Sequence, residues 1–267
     1  MPRGVNALDE ARLQGRLWTP RVLNPTLWVK ANAPGTLTVS GTTVTGVTDA
    51  ASGAAWTVAG SIGRDLTQLG GLPTLRLNNA TENQILTIAQ SYAGNEITLV
   101  SLHRNRSAGG RINFGRLFSL WAAGVNDFSG TNGGILTYGV TGANGVSFYR
   151  NLAIAASISP LINDVWGCVV ATRSGTSVTM SLDGGTRTTG TTAAANFSFG
   201  NVRIGNDDGP RADSGMDGYI AENLLFTRAL SLPEEFALTG YLAWEWGRVG
   251  TLPAAHPFRN RPPLIGD

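Results

Sequence analysis

Residues 217–247 read DGYIAENLLFTRALSLPEEFALTGYLAWEWG, and a change of period inside that stretch decides the fold. From Gly218 to Phe226 the apolar residues alternate, with Ile220, Leu224 and Phe226 on one face and Tyr219, Ala221 and Leu225 on the other. This is the two-residue period of a strand covered on both sides. At Ser231 the period becomes helical. A hydroxyl at the N-cap, Pro233 in the first turn and Glu234 at N3 form a capping box, and Glu234 and Glu235 complement the free N–H groups of that end. Phe236, Ala237, Gly240, Tyr241 and Trp244 recur at helical spacing, and Gly247 is a natural stop. A short helix with so broad an apolar face must cover something. In a chain otherwise written as strands and turns, it covers a β-structure.

Working outward, the rest of the chain supplies that structure. Its 267 residues can bury a core as one domain, and with 35 glycines and only 14% charged residues it reads as a turn-rich β protein. Strands are expected at Leu27–Lys30, Leu37–Val47, Leu75–Leu77, Gln84–Ile88, Glu96–Leu102 and Phe114–Trp121. Others follow at Ile135–Tyr138, Val146–Tyr149, Val165–Ala171, Val178–Leu182, Phe197–Phe199 and Val202–Gly205. Asp49–Gly53 is a turn whose aspartate accepts local backbone N–H groups. About a dozen short strands with no helices between them argue for a two-sheet sandwich and against a parallel α/β fold.

Met1–Asn24 reads as an arm. Leu8, Leu13 and Leu17 are interleaved with Arg3, Arg12, Arg16 and Arg21, which suits either a solvated extension or an anchor on another subunit. The net charge of +2 is too small for nucleic-acid binding by the whole surface. No export segment or membrane-length apolar run is recognised, so export by lysis or within a particle is the expectation. Cys168, between Trp166 and Val169, is a core thiol.

Three stretches together resemble the concanavalin A-like lectin/glucanase superfamily, and within it the laminin-G-like domains of bacteriophage virion and bacterial extracellular proteins. They are Leu27–Trp28 through Asp49, Ser52 and Gly53 to Leu75; Trp166 through Asp183–Gly184–Gly185; and Phe199–Gly205 joined to residues 217–247 and closed by Pro253, His256–Pro257–Phe258 and Pro262–Pro263. The resemblance implies an all-β jelly-roll sandwich over residues 25–267 with the late helix packed on it.

The superfamily's glucanases place two glutamates and an aspartate at alternate positions of one strand, because acid and nucleophile must face the sugar about 5 to 5.5 Å apart. None of the seven glutamates of this chain stands in such a pattern. A non-enzymatic protein without a cofactor is therefore expected. The leading expectation is a virion component, a head decoration or fibre present in several copies. Its partners would be capsid or fibre subunits, and its rim would touch host surface polysaccharide. A secreted carbohydrate-binding module is one alternative, and a glycan-cleaving enzyme using Asp127, Asp164 or Glu222 is another. Trp18, Trp56 and Trp121 are candidate exposed aromatic platforms. His103, Arg104 and Arg106 form a candidate site for an acidic ligand, although His103 reads more simply as a surface residue. The loop 206–217 holds Asp207, Asp208 and Asp213, hard oxygen ligands of the calcium type, or else a salt-bridged turn with Arg211.

Overall fold

The computed structural model describes residues 17–78, 84–106, 115–122, 127, 130, 132–139, 145–159, 163–207 and 215–267. Among them are seventeen strands and one α-helix. The strands begin with β1 (Leu27–Lys30), β2 (Leu37–Ser40), β3 (Thr43–Thr48), β4 (Ala55–Ala59), β5 (Gly63–Leu69) and β6 (Leu72–Asn78). The long central strands are β7 (Ile85–Gly94), β8 (Glu96–Asn105) and β9 (Gly115–Trp121), followed by β10 (Gly134–Tyr138), β11 (Val146–Arg150) and β12 (Ala153–Ile158). The last five are β13 (Trp166–Ser174), β14 (Ser177–Leu182), β15 (Thr188–Thr191), β16 (Phe197–Ile204) and β17 (Asp217–Phe226), and helix α1 spans Leu232–Glu245.

Every pairing among these strands is antiparallel, and together they make the expected jelly-roll sandwich. The first sheet runs β15-β14-β13-β8-β17, with β1 and β6 sharing the far edge of β17 and β5 beyond β6. The second runs β4-β7-β16-β9-β10-β11-β12, and β4 joins the two by pairing with β3 as well. Asn223 of the first sheet donates to the Leu117 carbonyl of the second at 3.1 Å, inside a core that holds Leu99, Val169, Phe118, Phe148 and Phe197.

Among the differences from the sequence reading, two have plain local reasons. Gly41, at φ 62°, turns the expected strand 37–47 into the hairpin β2–β3, a backbone region that glycine enters at little cost. Phe197–Ile204 is one strand carrying a register shift between Phe199 and Asn201, not two strands. A further shift on β17, between Ile220 and Glu222, puts Ile220 opposite His103 and Glu222 opposite Leu102. The simple alternation expected there breaks at Ala221, and Ile220 leaves the face of Leu224.

Helix α1 covers the outer face of the first sheet. Both halves of the capping box between Ser231 and Glu234 are present, and Gly247, at φ 66°, ends the helix as expected. Leu238 and Leu242 are fully buried. Glu235 is bonded to Ser181 and Arg187, tying the helix to β14 and the segment after it. The C-terminal segment lies over the helix: Trp244 Nε1 donates to the Phe258 carbonyl at 2.8 Å, and His256 packs on Phe236 and meets Thr239 at 3.1 Å. Trp244 and His256 thus pack the C-terminal segment onto the helix.

The chain from Leu17 to Asn24 is docked on this assembly. Leu17 bridges to Leu264, and Trp18 is buried with its ring edge-on to Tyr241. After a 3-10 turn at Pro20–Leu23, Arg21 donates to the Ala50 carbonyl at 2.8 Å and lies over Trp28. Trp18 is therefore not an exposed platform, and Arg21 belongs to the sandwich. Arg3, Arg12 and Arg16 lie outside the described residues.

Candidate functional site

The outer face of the second sheet carries an open polar surface. A register shift between β9 and β10 at Leu117 places Arg116 and Ser119, three apart in sequence, on the same side of the sheet. There they converge on Asp127. Arg116 grips that carboxylate with two bonds, at 3.0 and 3.1 Å, and Ser119 Oγ adds a third at 2.8 Å. All three side chains are buried, so the loop after β9 is pinned onto the sheet at Asp127. Trp121 follows two residues beyond Ser119 on the same face, half-buried, with the Arg203 guanidinium 4.5 Å from its ring centroid.

Beside Trp121 lies a shallow cleft of about 560 Å³. Its floor is the paired segment of β7 and β16, Ser91–Ala93 against Ser198–Gly200, and its wall is Ala122 and Asn132. Ser91, Asn132 and Ser198 are exposed, while Tyr92 and Phe199 pack against each other at 5.6 Å beneath the floor. Small residues keep the floor low, and a Cβ added at Gly200 would meet nothing within 4 Å. Hydroxyl and amide groups beside an accessible aromatic ring form a surface that can hydrogen-bond a polyol and cover its apolar face.

The other predicted site residues are scattered. Trp56 is a core residue, its indole N–H donating at 3.3 Å to Asp49, whose buried carboxylate also accepts from the backbone N–H groups of Trp28, Ala51 and Ser52. The platform reading of Trp56 fails because Asp49, read correctly as a turn residue, also reaches across to β1 and β4. His103 is not at the surface either. It faces the sandwich core, 1% exposed, and burial pushes its pKa down to about 4. Arg104 is bonded to Gln68 and to Asp164, and Arg106 pairs with Asp217 at 3.4 Å, so the expected trio forms no common site.

Asp207 is buried, 3.6 Å from Arg116, which removes it as an accessible calcium ligand. Asp208 and Asp213 lie outside the described residues, and no cluster of three metal-ligating side chains occurs among the described ones. Cys168 is buried and its thiol is pushed well above its usual range by desolvation, a core thiol as expected.

The carboxylates considered for chemistry are separated in the same way. Glu222 accepts the indole N–H of Trp28 at 2.6 Å and that of Trp246 at 2.7 Å beneath the helix on the first sheet. Asp127 is gripped by Arg116 on the second sheet, and Asp164 is paired with Arg104. The residues that line the cleft, Ser91, Asn132, Ser198 and Gly200, were not singled out from the sequence. Arg203 offered a signal, an arginine alternating with the buried Val202 and Ile204. Its meeting with Trp121 depends on the long-range pairing of β16 with β9.

The family described as the concanavalin A-like lectin/glucanases superfamily matches residues 76–234. No curated protein matches the sequence. Solved structures do. Domain 4 of AbnA, an extracellular arabinanase from Geobacillus stearothermophilus solved in complex with arabinotriose, aligns with a TM-score of 0.53 and 11% identity, over 70% of this chain and 89% of that one. The receptor binding domain of botulinum neurotoxin type G aligns with a TM-score of 0.51 and 13% identity, over 79% of this chain and 49% of the other. The serotype D binding domain gives 0.52 and 12%, over 85% and 51%. The chain spans about half the length of these toxin domains. At such identities the likeness is one of fold.

Proposed function

The chain belongs to the concanavalin A-like lectin/glucanase superfamily, and from that premise we propose that it is a non-enzymatic carbohydrate-contacting module using the outer face of its second sheet. The observation that carries the reading is the cleft of about 560 Å³ floored by β7 and β16 and lined by Asn132, Ser198 and Ala122, the residue after Trp121. Its polar groups suit hydroxyls, and the neighbouring ring suits the C–H face of a sugar. The AbnA domain, solved with arabinotriose, supports this as an analogy of fold. The virion setting inferred from the sequence is a narrower proposal about where such a module works, and purified particles probed for the chain would decide it.

The reading is non-enzymatic because Asp127 and Glu222, the two buried carboxylates among the candidates for chemistry, each accept from two side-chain partners and are held on different sheets. Retaining chemistry needs two carboxyl groups about 5 to 5.5 Å apart across a bound sugar. A glycan panel tests the proposal. Binding to a defined oligosaccharide class, weakened about tenfold or more by Trp121→Ala and by Asn132→Ala with unchanged melting temperature, is the expected result. Absence of binding across the panel, or binding indifferent to both substitutions, would reject it.

A further inference from the structure

Between the two sheets, on the inner side of the strands that floor the cleft, the sandwich buries two arginines against one phenylalanine. The Arg150 and Arg173 guanidinium carbons lie 4.4 and 4.7 Å from the Phe197 ring centroid, and the two residues are 1% and 0% exposed. Arg150 donates to the carbonyls of Gly133, Ala193 and Asn196, and Arg173 Nη2 to those of Ala193 and Ala195. Among the described residues Arg173 has no ion pair, and its Nε and Nη1 have no acceptor. Burying a cation on neutral carbonyls with donors left idle is costly. The charges also oppose each other: burial first, then Arg173, brings the pKa of Arg150 down to about 10.

The cover over this pair is thin. It is the loop between β15 and β16, whose ends are fixed by Thr192 N to Thr176 O and Ser198 N to Asn132 O, both at 2.9 Å. Between those anchors stand Ala193, Ala194, Ala195 and Asn196. The last three are exposed, and the alanines bring no polar side chain. The same loop leads directly into Ser198 of the cleft floor, and Arg150 holds Gly133 beside Asn132 of the cleft wall.

We infer that Arg173 and Arg150 are the receptor for an oxyanion, and that the glycan taken by this face is acidic, bearing a carboxylate or a sulfate. The ligand oxygens take the place of the Ala193 and Ala195 carbonyls and reach the idle donors of Arg173, while the alanine loop lifts. Bonds between two opposite charges then replace bonds from a cation to neutral carbonyls. This inference rests on the glycan reading above for the source of the anion, but not for the anion site itself.

Two arms separate them. In the first, sodium sulfate is titrated into the full-length protein at constant ionic strength against chloride, following the Arg173 Nε–H cross-peak and the melting temperature. A saturable shift of that peak is expected, together with a rise in melting temperature larger than the general sulfate effect shown by Arg173→Met. Should Arg173→Met not fold, the wild-type cross-peak decides alone. A peak that sulfate leaves in place, or equal responses of wild type and Arg173→Met, overturns the site. In the second arm, acidic oligosaccharides and their neutral counterparts are compared. A preference of about tenfold or more for the acidic member, lost in Arg173→Met, is expected. Equal binding of both overturns the acidic assignment while leaving the glycan reading in place. Sulfate contact without any glycan binding keeps the anion site and removes the acidic glycan as its ligand.

Discussion

Glu222 and His103 are both buried and titrate in opposite senses. Desolvation raises Glu222 to about 7 from an ordinary 4.5, against the pull of Lys30 and the indoles of Trp246 and Trp28, with Glu245 adding to the rise. The fold prefers its protonated form, so its contribution is complete below about pH 4.5 and is lost as pH climbs through 7. His103 goes from 6.5 down to about 4, by burial first and with the charge of Arg248 adding to it. Its contribution is complete above 6.5 and is lost as pH falls through 4. Between pH 4.5 and 6.5 the two slopes, each at most about 1.4 kcal/mol per pH unit, therefore offset each other. Glu234, held at about 2 chiefly by Arg228, adds an acid loss only below about 4.5. Denaturant titrations across that window are expected to be nearly flat for wild type, to rise with pH in Glu222→Gln and to fall with pH in His103→Gln. Parallel curves for all three would contradict the assignment. Neither role was legible in the sequence, where Glu222 stood alone on its strand and His103 ended one. Burial of both depends on which face of β8 and β17 each occupies after the shift at Ala221.

At the scale of elements, the helix was readable because its signals are local. The capping box, the apolar spacing and Gly247 lie within seventeen residues, from Ser231 to Gly247, and all are present as expected. The long, strongly apolar strands were readable for the same reason. Strands β4, β5, β12 and β15 were missed because they are half-exposed and hold at most two large apolar residues each, too few for a recognisable apolar run. Leu242→Ala should cost about 2 to 5 kcal/mol, as the fully buried side chain leaves a cavity, whereas Ser231→Ala should cost about 1 kcal/mol. Gly240→Ala is the sharper test. Helix propensity alone predicts a gain of about 1 kcal/mol. A Cβ there, however, would sit 2.7 Å from the Cβ of Phe258, so thermal melts should show a loss. A gain would mean that the C-terminal segment does not lie on the helix as described.

For the molecule as a whole, the docking of Leu17–Asn24 divides the expected arm. Removing residues 1–16 should leave the melting temperature nearly unchanged. Extending the deletion through Asn24 removes Trp18 from Tyr241 and Leu23 from the core, and should lower it by several degrees. Equal melting of both truncations would place the whole of residues 1–24 outside the domain. The sandwich class was legible in the sequence because it follows from strand number and turn density. The face proposed for the ligand was not, since it is assembled from β7, β9 and β16, strands whose neighbours are set by pairing alone. The most direct test of that face is a backbone and indole NMR titration with the best-binding oligosaccharide of a glycan panel. The shifts are predicted to concentrate at Ser91, Asn132, Ser198, Gly200 and the Trp121 indole, with helix α1 and Trp166 silent. Shifts concentrated on the helix side of the first sheet, or none at saturating sugar, would contradict the account.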